Sequence, residues 1–567
     1  MLSIGLLPVV ALVAPPPLYL GIDLSTQSVT GVLLDSKLKP AAKIASVNFD
    51  ESFPEYKTAA GMNVMEDGVV TSPVRLWLRA LDTLFTELQA TGLLKSVAAI
   101  SCSGQQHGTV YWTAKGLRTL ESQSSAPSGF AEALPDDCFS VLDSPIWADS
   151  STSAECRAIE AAIADGAVGV ASLTGSRAYE RFSGVQMMAI ASRYPKAWES
   201  TSKVSLVSSF CASLLTGSFV PIDYSDASGT LLMGLKERQW APEMLQSKPF
   251  ASLDLGAKLG GEPVPSHQIV GQVSALLTER WGFDSECAVA ASSGDNPCAL
   301  AGLGLSRPGD LALSLGTSDT LLGVAPASSA TPATEGHVMA HPTDPESVMA
   351  MLCYKNGGAA RQEVRDTRCS DKDWKSFDAA LRAGTPGNDG ILGLHLPLAE
   401  ITPIIPRAGV WHVDASDNTV ASSSLTEAQA IRAVVEGRFL SMRARGGAIG
   451  LRDAKRVLAT GGGSQSSELL QVASDVFNAP ILLDDTPDAA AVGAARRAAH
   501  AHALMRDHGG DVAKLPYAAF LDAAASGEEG GGLETVAMPR ADAAAVYSEA
   551  LVERYRQFED RVASAQE

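Results

Sequence analysis

The stretch LYLGIDLSTQSVTGVLLD, residues 18–35, contains two apolar runs separated by a polar turn, and the first run ends at the carboxylate Asp23. Short β-rich runs on either side of a polar turn predict a β-hairpin, here over 18–23 and 29–35. The same arrangement recurs in DLALSLGTSDTLLGV, residues 310–324, around a Gly-Thr-Ser-Asp turn. Because each copy opens a long region of the chain, we predict two related lobes.

The regions that follow the hairpins alternate between strand and helix patterns. The runs SVAAISCSG (96–104) and CAVAASSGDN (287–296) are nearly all apolar and end in small and polar residues. Such runs predict strands that are covered on both faces, with ligands bound near their ends. Further on, the strand patterns at 456–464 and 480–485 alternate with helical spacing at 466–477 and 489–504. This alternation predicts an α/β fold.

Bulk composition limits the function. The chain has 567 residues, enough for about two to four domains, and its 46% hydrophobic content is that of a globular protein. A net charge of −20 argues against nucleic-acid binding, which requires a clustered positive surface. The eight cysteines are scattered without a CxxC pair, so neither a zinc site nor a disulfide framework is indicated.

Residues 1–17, MLSIGLLPVVALVAPPP, are apolar but interrupted by prolines, and no Lys or Arg precedes Lys37. The charged region of a secretory signal is therefore missing, and the segment is too short to span a membrane. We predict an added extension on a cytoplasmic protein, with organellar (plastid) targeting as the alternative. No later segment resembles a transmembrane helix.

The expected domain boundaries are an N-terminal lobe over 18–304 and a C-terminal lobe over 305–567. Two stretches are typical of surface insertions, 116–136 and 505–540, because Ser, Pro and Gly are frequent in the first and SGEEGGG lies in the second. A closing helix is predicted over 541–565. Its expected buried residues are Tyr547, Leu551, Tyr555 and Phe558.

Two glycine-containing turns are candidates for phosphate binding. Gly316, Thr317 and Ser318 are small enough for backbone N–H groups to point at a phosphate, although a plain hairpin would have the same pattern. Gly461-Gly462-Gly463 lies between a strand and a helix start, where the helix dipole favours an anion, but close packing explains it equally well. Ser466 stands where a dinucleotide fingerprint requires its third glycine, and the chain contains no GxxxxGK[ST] sequence.

Two carboxylates are candidates for catalysis. Asp295 follows a buried strand, and Asn296-Pro297 predicts a turn that directs its side chain outward. Asp23 has the equivalent position in the first hairpin. A surface or capping aspartate is the alternative for Asp295. Two carboxylates at strand ends, combined with phosphate-binding turns, are what a magnesium–nucleotide enzyme needs.

Polar recognition is predicted from SGQQHG (103–108) and GSRAYERFSG (175–184). His107 follows a strand and in its neutral form can hydrogen-bond a sugar hydroxyl, although a packed loop histidine is the alternative. Arg177 and Arg181 are four residues apart and are expected to share one helical face, as an ordinary solvated pair also would.

Several strings of the sequence resemble, in this order, the FGGY carbohydrate kinase family and within it the eukaryotic xylulose kinase branch. The resemblance covers residues 18 to about 500 and the closing helix, and the strings that carry it include GIDLSTQSV, SGQQHG, IWADSST, TGSRAYERFSG, SGDNPCALAG, SLGTSDTLLG and ATGGGSQSSELLQV. It implies two actin-like (ribonuclease H-like) lobes that close over ATP and a ketopentose.

The resemblance also implies roles for individual residues. Asp295 corresponds to the catalytic base, and Asp23 to an aspartate near Mg²⁺ and the γ-phosphate. The implied sugar contacts are Gln106, His107, Arg177, Asp295 and Asn296. The implied nucleotide contacts are Ser25, Thr26, Gln27, Gly316, Thr317, Ser318, Trp374, Gly461, Gly462 and Ser466. Ser466 departs from the family pattern, since close relatives carry asparagine there.

The implied activity is transfer of the γ-phosphoryl group of MgATP to the C5 hydroxyl of D-xylulose, which yields D-xylulose 5-phosphate for the pentose phosphate pathway. The expected partners are these small molecules alone, without nucleic acid or membrane, and the expected state is a monomer or homodimer. The alternatives are another FGGY kinase, acting on ribulose or a polyol, and an actin-like ATPase that hydrolyses ATP without sugar.

Overall fold

The structure is a computed structural model that describes residues 16–122, 129–484, 487–526 and 533–565. Most of the predicted N-terminal extension and the central parts of both predicted insertions lie outside the described residues. Two large mixed sheets carry helices on their faces and form two lobes. Within the described ranges, none of the helices combines the length and the apolar character needed to cross a bilayer.

The strands in the described ranges are, in chain order, β1 (Leu18–Leu24), β2 (Ser28–Leu34), β3 (Ala45–Asn48), β4 (Asn63–Val64), β5 (Val70–Pro73), β6 (Val97–Gly104), β7 (Thr109–Thr113), β8 (Phe139–Val141), β9 (Asp143–Pro145), β10 (Thr201–Leu206), β11 (Ile269–Gln272), β12 (Ala288–Ala290), β13 (Ser293–Gly294), β14 (Asp310–Leu315), β15 (Asp319–Pro326), β16 (His337–Ala340), β17 (Ser347–Tyr354), β18 (Leu392–Leu396), β19 (Glu400–Ile401), β20 (Ile404–Ile405), β21 (Gly409–Val413), β22 (Arg456–Thr460), β23 (Ile481–Leu483) and β24 (Glu534–Ala537).

The α-helices in the same ranges are α1 (Phe49–Ser52), α2 (Val74–Gln89), α3 (Ala114–Glu121), α4 (Phe130–Ala133), α5 (Ser153–Ala162), α6 (Gly166–Thr174), α7 (Ser183–Arg193), α8 (Pro195–Ser200), α9 (Val207–Thr216), α10 (Tyr224–Ser228), α11 (Pro242–Leu245), α12 (Leu255–Leu259), α13 (Asp295–Gly302), α14 (Gly358–Arg368), α15 (Trp374–Ala383), α16 (Glu427–Ala448), α17 (Ser467–Phe477), α18 (Ala489–His508), α19 (Tyr517–Ala525), α20 (Ala541–Val546) and α21 (Glu549–Ser564).

The N-terminal sheet has the strand order β11-β12-β6-β1-β2-β3, and β13 pairs with the end of β6. The predicted hairpin forms its centre, with β1 antiparallel to β2 and parallel to β6. Every residue of β1 is buried, because helices cover both faces of the sheet, as a continuous apolar run predicts. The strand therefore delivers its last residues to the carboxyl edge of a buried sheet.

The C-terminal sheet repeats this arrangement in the order β16-β17-β15-β14-β22-β23-β24. Its hairpin is β14 with β15, and β14 runs parallel to β22. The outer strand β24 comes from the stretch predicted to be a surface insertion, as does α19. The buried Tyr517 of α19 donates a hydrogen bond to the carbonyl of Ala301 at 3.0 Å. The described part of 505–540 is therefore integrated with the fold.

Helix α18 joins the two lobes. It follows the C-terminal strands in sequence but packs on β1, β2 and β6 of the N-terminal sheet. A side chain at Gly493 would place Cβ 1.8 Å from the carbonyl oxygen of Cys298 in α13, so only glycine allows this close helix crossing. Buried Arg497 of α18 donates to the carbonyls of Ser266 and Ala291 at 3.0 and 2.9 Å. The lobe boundary at 304 and 305 remains a prediction, and α18 belongs structurally to the N-terminal sheet.

The predicted closing helix is divided into α20 and α21 by a break at 547–548. Tyr547, Tyr555 and Phe558 are buried against the C-terminal core, as predicted, while Leu551 is partly buried. The break directs the Tyr547 hydroxyl to the carboxylate of Glu436, to which it donates at 2.7 Å.

Candidate active site

Asp23 lies near the carboxyl end of β1, opposite Ser103 of the parallel strand β6. Its carboxylate is buried; the Oδ2 atom accepts a hydrogen bond from the Ser25 hydroxyl, while the Oδ1 atom has no hydrogen-bond partner among the described residues. Burial raises the pKa of Asp23, and the negative charge of Asp488 adds to the rise. An unpartnered buried carboxylate oxygen suits a divalent cation as its partner.

Asp295 lies on the other side of β6, because β13 pairs with β6 up to Gly294 opposite Gly104. The two carboxylates therefore extend from the same edge of the sheet, with one strand between them. The predicted turn at Asn296-Pro297 is wrong, since helix α13 begins at Asp295 with Gly294 as its N-cap. Pro297 is tolerated in the first turn of α13 because a backbone N–H at that position would have no acceptor within the helix.

Asn296 holds Asp295 in place. The Oδ1 atom of Asp295 accepts hydrogen bonds from the backbone N–H and the side-chain amide of Asn296, at 2.8 and 2.9 Å. The same amide donates to the Oε1 atom of Gln106 at 2.8 Å. Burial raises the pKa of Asp295 to about 7, and the negative charge of Asp23 contributes to the rise. A fixed carboxylate with a pKa near neutrality can act as a general base.

His107 lies just beyond β6, in the left-handed region of backbone conformation at φ 69°. This conformation is uncommon for a non-glycine residue and often marks a functional position. Nδ1 is 3.0 Å from the carbonyl oxygen of Gly229, so it carries the ring proton and donates it, which leaves Nε2 as an acceptor. Burial, followed by the charge of Arg181, lowers the pKa of His107 to about 3. The neutral ring can therefore accept a hydrogen bond from a ligand hydroxyl.

The two arginines of the GSRAYERFSG string point to different partners. They lie between α6 and α7, outside any helix, so the expected shared helical face is wrong. Arg177 makes a two-pronged ion pair with Glu160 at 2.9 and 3.0 Å. Arg181 instead lies near His107, whose pKa its charge lowers. Its guanidinium packs over the ring of Phe182, which in turn stacks on His107 at 4.7 Å. Of the two arginines, Arg181 is the one whose charge reaches His107.

The predicted phosphate turns have different surroundings in the two lobes. Residues 25–27 connect β1 to β2, and the Ser25 N–H donates to the carbonyl of Ser28 at 3.0 Å. The turn over 316–318 connects β14 to β15, and the Gly316 carbonyl accepts from the N–H of Gly358 at 2.8 Å. Gly461 packs against Leu315, at the end of β14, with φ 83°, which favours glycine there. The structure thus places the 316–318 turn beside Gly461 and Gly462.

The remaining predicted nucleotide residues lie on α15 and α17. Trp374 begins α15 and is 46% exposed, with the Arg365 guanidinium 4.5 Å from its ring centre. Ser466 caps α17, because its hydroxyl accepts from the Leu469 N–H at 3.1 Å and donates to Asp378 of α15 at 2.7 Å. The serine that departs from the family pattern therefore ties together the two helices on this side of the C-terminal lobe.

Trp147 and Asp488 are among the residues beside the site that were not predicted from the sequence. Trp147 is 45% exposed and donates a hydrogen bond from its indole N–H to the Thr26 hydroxyl at 2.9 Å. Asp488 precedes α18, close enough for its charge to affect Asp23. No local sequence signal marks Asp488, because it lies five residues beyond the end of β23 and does not directly follow the strand.

The described residues contain no cluster of three or more His, Cys, Asp or Glu side chains arranged to hold a metal ion. The site instead combines single carboxylates, backbone turns and a neutral histidine. Such a set can position a hydroxyl, accept its proton and bind phosphates, which is the requirement of phosphoryl transfer to an alcohol.

Comparisons with known proteins agree with this chemistry. The N-terminal domain of the FGGY family of carbohydrate kinases matches residues 140–302, and its C-terminal domain matches residues 311–502. The chain belongs to the FGGY family of carbohydrate kinases, which confirms the predicted family and its two-lobed α/β fold.

Similar curated proteins and a similar solved structure carry a more specific name. The chain is 41% identical to a xylulose kinase of Rattus norvegicus over 96% of this chain and 97% of that protein. It is 40% identical to xylulose kinase 2 of Arabidopsis thaliana over 86% and 87% of the two chains. A ligand-bound xylulose kinase structure from Lactobacillus acidophilus has the same fold, with a TM-score of 0.73 and 18% identity over 97% and 99% of the two chains.

Proposed function

We propose that this enzyme transfers the γ-phosphoryl group of ATP to the C5 hydroxyl of D-xylulose, giving D-xylulose 5-phosphate and ADP. The observation that carries the proposal is the position of Asp295, fixed by Asn296 at a strand end beside Asp23, with a pKa of about 7. The choice of sugar is supported by the similarity to curated xylulose kinases over almost the whole chain.

In the proposed reaction, the C5 hydroxyl oxygen attacks the γ-phosphorus and the bond between that phosphorus and the β–γ bridging oxygen breaks. The hydroxyl proton passes to the carboxylate of Asp295, and ADP leaves with the bridging oxygen. Positioning and charge neutralisation supply most of the catalysis in such a loose transition state. The turns at 25–27 and 316–318 bind the phosphates through backbone N–H groups, and the adenosine lies on the side of Gly461, Gly462 and Trp374.

Asp23 suits the magnesium ion that kinases use with ATP. Its Oδ1 atom is buried without a hydrogen-bond partner among the described residues, and Mg²⁺ commonly takes one or two protein carboxylates together with water and substrate phosphates. When bound, the ion neutralises charge on the transferring phosphoryl group. The residues of this chain bind and orient the two substrates and accept the proton.

Sugar recognition is assigned to the cluster around His107. Its Nε2 atom accepts a hydrogen bond from a sugar hydroxyl, because its Nδ1 proton is already donated to Gly229. We assign the neighbouring guanidinium contact to Arg181, because Arg177 is already paired with Glu160. The contact predicted for Arg177 therefore requires that this ion pair opens.

A substrate panel tests the proposal. ADP release is measured with D-xylulose, D-ribulose, glycerol and no sugar, at equal ATP. We expect the highest kcat/KM with D-xylulose and only slow ATP hydrolysis without sugar. A preference for D-ribulose or a polyol contradicts the assigned substrate, and turnover that is equally fast without sugar favours an ATPase. The cytoplasmic location and the monomeric or homodimeric state remain predictions.

The pH dependence of kcat/KM should reflect Asp295. The carboxylate must be ionised to accept a proton, so activity falls by about tenfold for each pH unit below the raised pKa of about 7. Activity is measured from about pH 5 to about pH 9, with thermal unfolding over the same range as the control for loss of fold. An acidic limb with an apparent pKa near that of an ordinary aspartate contradicts the assignment.

Replacing His107 by alanine is expected to raise the KM for the sugar by about tenfold or more, because a ground-state hydrogen bond is lost. The KM for ATP stays within about twofold of its original value. Initial rates over a matrix of sugar and ATP concentrations separate the two constants. An unchanged KM for sugar with weakened ATP binding would place His107 on the nucleotide side.

A further inference from the structure

Strand β16 of the C-terminal lobe forms part of the wall beside the sugar cluster. It is the outer strand of its sheet and pairs with β17 along one edge only. Its other edge meets the N-terminal lobe, where the N–H of Val338 donates to the Gly175 carbonyl at 2.9 Å and the N–H of Ala340 donates to the Ser228 hydroxyl at 3.0 Å. The first residue of the strand, His337, therefore faces the sugar-binding lobe.

The imidazole of His337 is buried and has a partner for each ring nitrogen. Nε2 lies 2.7 Å from a guanidinium nitrogen of Arg181, and Nδ1 lies 3.0 Å from the hydroxyl of Ser176. A guanidinium only donates, so Nε2 is the acceptor and the ring proton belongs to Nδ1. Burial and the charge of Arg181 hold the pKa of His337 well below its usual range. The ring is thus a neutral acceptor of fixed orientation.

Arg181 is restrained on several sides but keeps unused donors. Its guanidinium lies over the rings of Tyr179 and Phe182, 5.0 and 5.8 Å from their centres, and the His337 ring packs against the same two rings. Within the described parts of the chain, no carboxylate forms an ion pair with it. A guanidinium has five N–H donors, and His337 accepts from one nitrogen. The guanidinium and the His107 ring pack against the same Phe182 ring, at 5.8 and 4.7 Å from its centre, so a polyhydroxyl ligand bound at His107 has acceptors for the remaining donors.

We propose that His337 is a positioning residue for sugar recognition: from the C-terminal lobe, it orients the Arg181 guanidinium so that its free N–H groups face the oxygen atoms of the sugar. This inference rests on the proposed function, because it takes the ligand beside His107 to be a sugar. It also makes sugar affinity depend on contact between the lobes, since His337 and Arg181 belong to different lobes. If the lobes separated at β16, His337 would no longer orient the Arg181 guanidinium.

The test compares two substitutions of His337. His337→Phe retains an aromatic ring against Tyr179 and Phe182 but removes the acceptor, whereas His337→Gln retains an acceptor near the position of Nε2. We expect His337→Phe to raise the KM for D-xylulose by about tenfold or more and His337→Gln to raise it by less than about threefold. The KM for ATP stays within about twofold in both variants.

His412→Phe is the matched control for general damage to a buried histidine. His412 lies on β21 of the C-terminal lobe and is buried, and its Nδ1 is 3.2 Å from the Ser422 hydroxyl. We expect this variant to keep both KM values. If it raises the KM for sugar as much as His337→Phe does, or if His337→Gln is as impaired as His337→Phe, the proposal is overturned.

A double-mutant cycle tests whether His337 acts through Arg181. In an Arg181→Met background, His337→Phe is expected to raise the KM for sugar by less than about twofold, because the group that it positions is already absent. If the two substitutions act independently, so that the increase in KM for sugar in the double variant equals the product of the two single increases, the proposal is overturned. Should His337→Phe fail to fold, Ser176→Ala replaces it, since it frees Nδ1. We expect Ser176→Ala to raise the KM for sugar by about threefold, and an unchanged value overturns the proposal.

Failure of the proposed function is recognised separately, in the wild-type enzyme. If the wild type prefers another sugar, the assigned substrate is wrong, and the same comparison of KM values with that sugar still decides the role of His337. If the wild type uses no sugar, the proposed function fails, and His337 loses its role as a positioning residue with it.

Discussion

Asp295→Asn is expected to lower kcat by at least about 10²-fold, and by up to about 10⁴-fold, while the protein folds and binds sugar. The amide keeps the size of the side chain and one acceptor for the Asn296 N–H groups, but it cannot take the proton of the attacking hydroxyl. Single-turnover phosphorylation and sugar binding by calorimetry separate the chemical step from affinity.

The stability of Asp295→Asn provides its control. The ionised carboxylate of Asp295 is disfavoured in the folded protein by burial and by Asp23, which is why its pKa is raised. Above pH 7 a neutral amide removes this repulsion, so Tm at about pH 8 is expected to be equal to or higher than that of the wild type. Near-normal kcat in a folded variant would remove Asp295 from the role of base.

Asp23→Asn is the second substitution with a large expected effect. Its Oδ1 atom is a buried carboxylate oxygen without a hydrogen-bond partner among the described residues, and an amide in its place cannot supply the negative charge that attracts a divalent cation. We expect kcat to fall by about 10²-fold or more and the Mg²⁺ concentration for half-maximal activity to rise. Activity is titrated with Mg²⁺ at saturating sugar and ATP.

Ser25→Ala is the comparison variant for Asp23→Asn. It removes the hydrogen bond to Oδ2 but leaves the charge of Asp23, so its loss of kcat is expected to stay within about tenfold. If Asp23→Asn and Ser25→Ala behave alike and neither changes the Mg²⁺ requirement, Asp23 serves only to shape the turn.

The predictable parts of the site are those that depend only on residues adjacent in the sequence. Asp23 ends a continuous apolar run, and Asp295 follows such a run after the small residues 292–294. A run of this kind delivers the residues at its end to the edge of a buried sheet. The glycine turns were predictable for the same reason, because a small residue between two apolar runs marks where the chain reverses. These features need only a few adjacent residues.

The parts that depend on distant contacts were not predictable. A spacing of four suggested that Arg177 and Arg181 share a face, but they lie between α6 and α7, where the helical period does not apply. Their partners, Glu160 and His337, are 17 and 156 residues away in the chain. The composition of 505–540 likewise suggested a surface insertion, whereas Tyr517 is buried against Ala301. Packing partners of this kind are fixed by the tertiary structure.

The position of α18 has a consequence for how the chain is made. Because this helix forms one layer over β1, β2 and β6, the earliest strands to leave the ribosome lack their covering layer until residue 508 has been synthesised. Domains usually fold as units during synthesis, starting from the N-terminus. In this protein the N-terminal sheet is complete only after α18 has been synthesised. An enzyme cut between its lobes would therefore yield an N-terminal fragment with an exposed apolar sheet face.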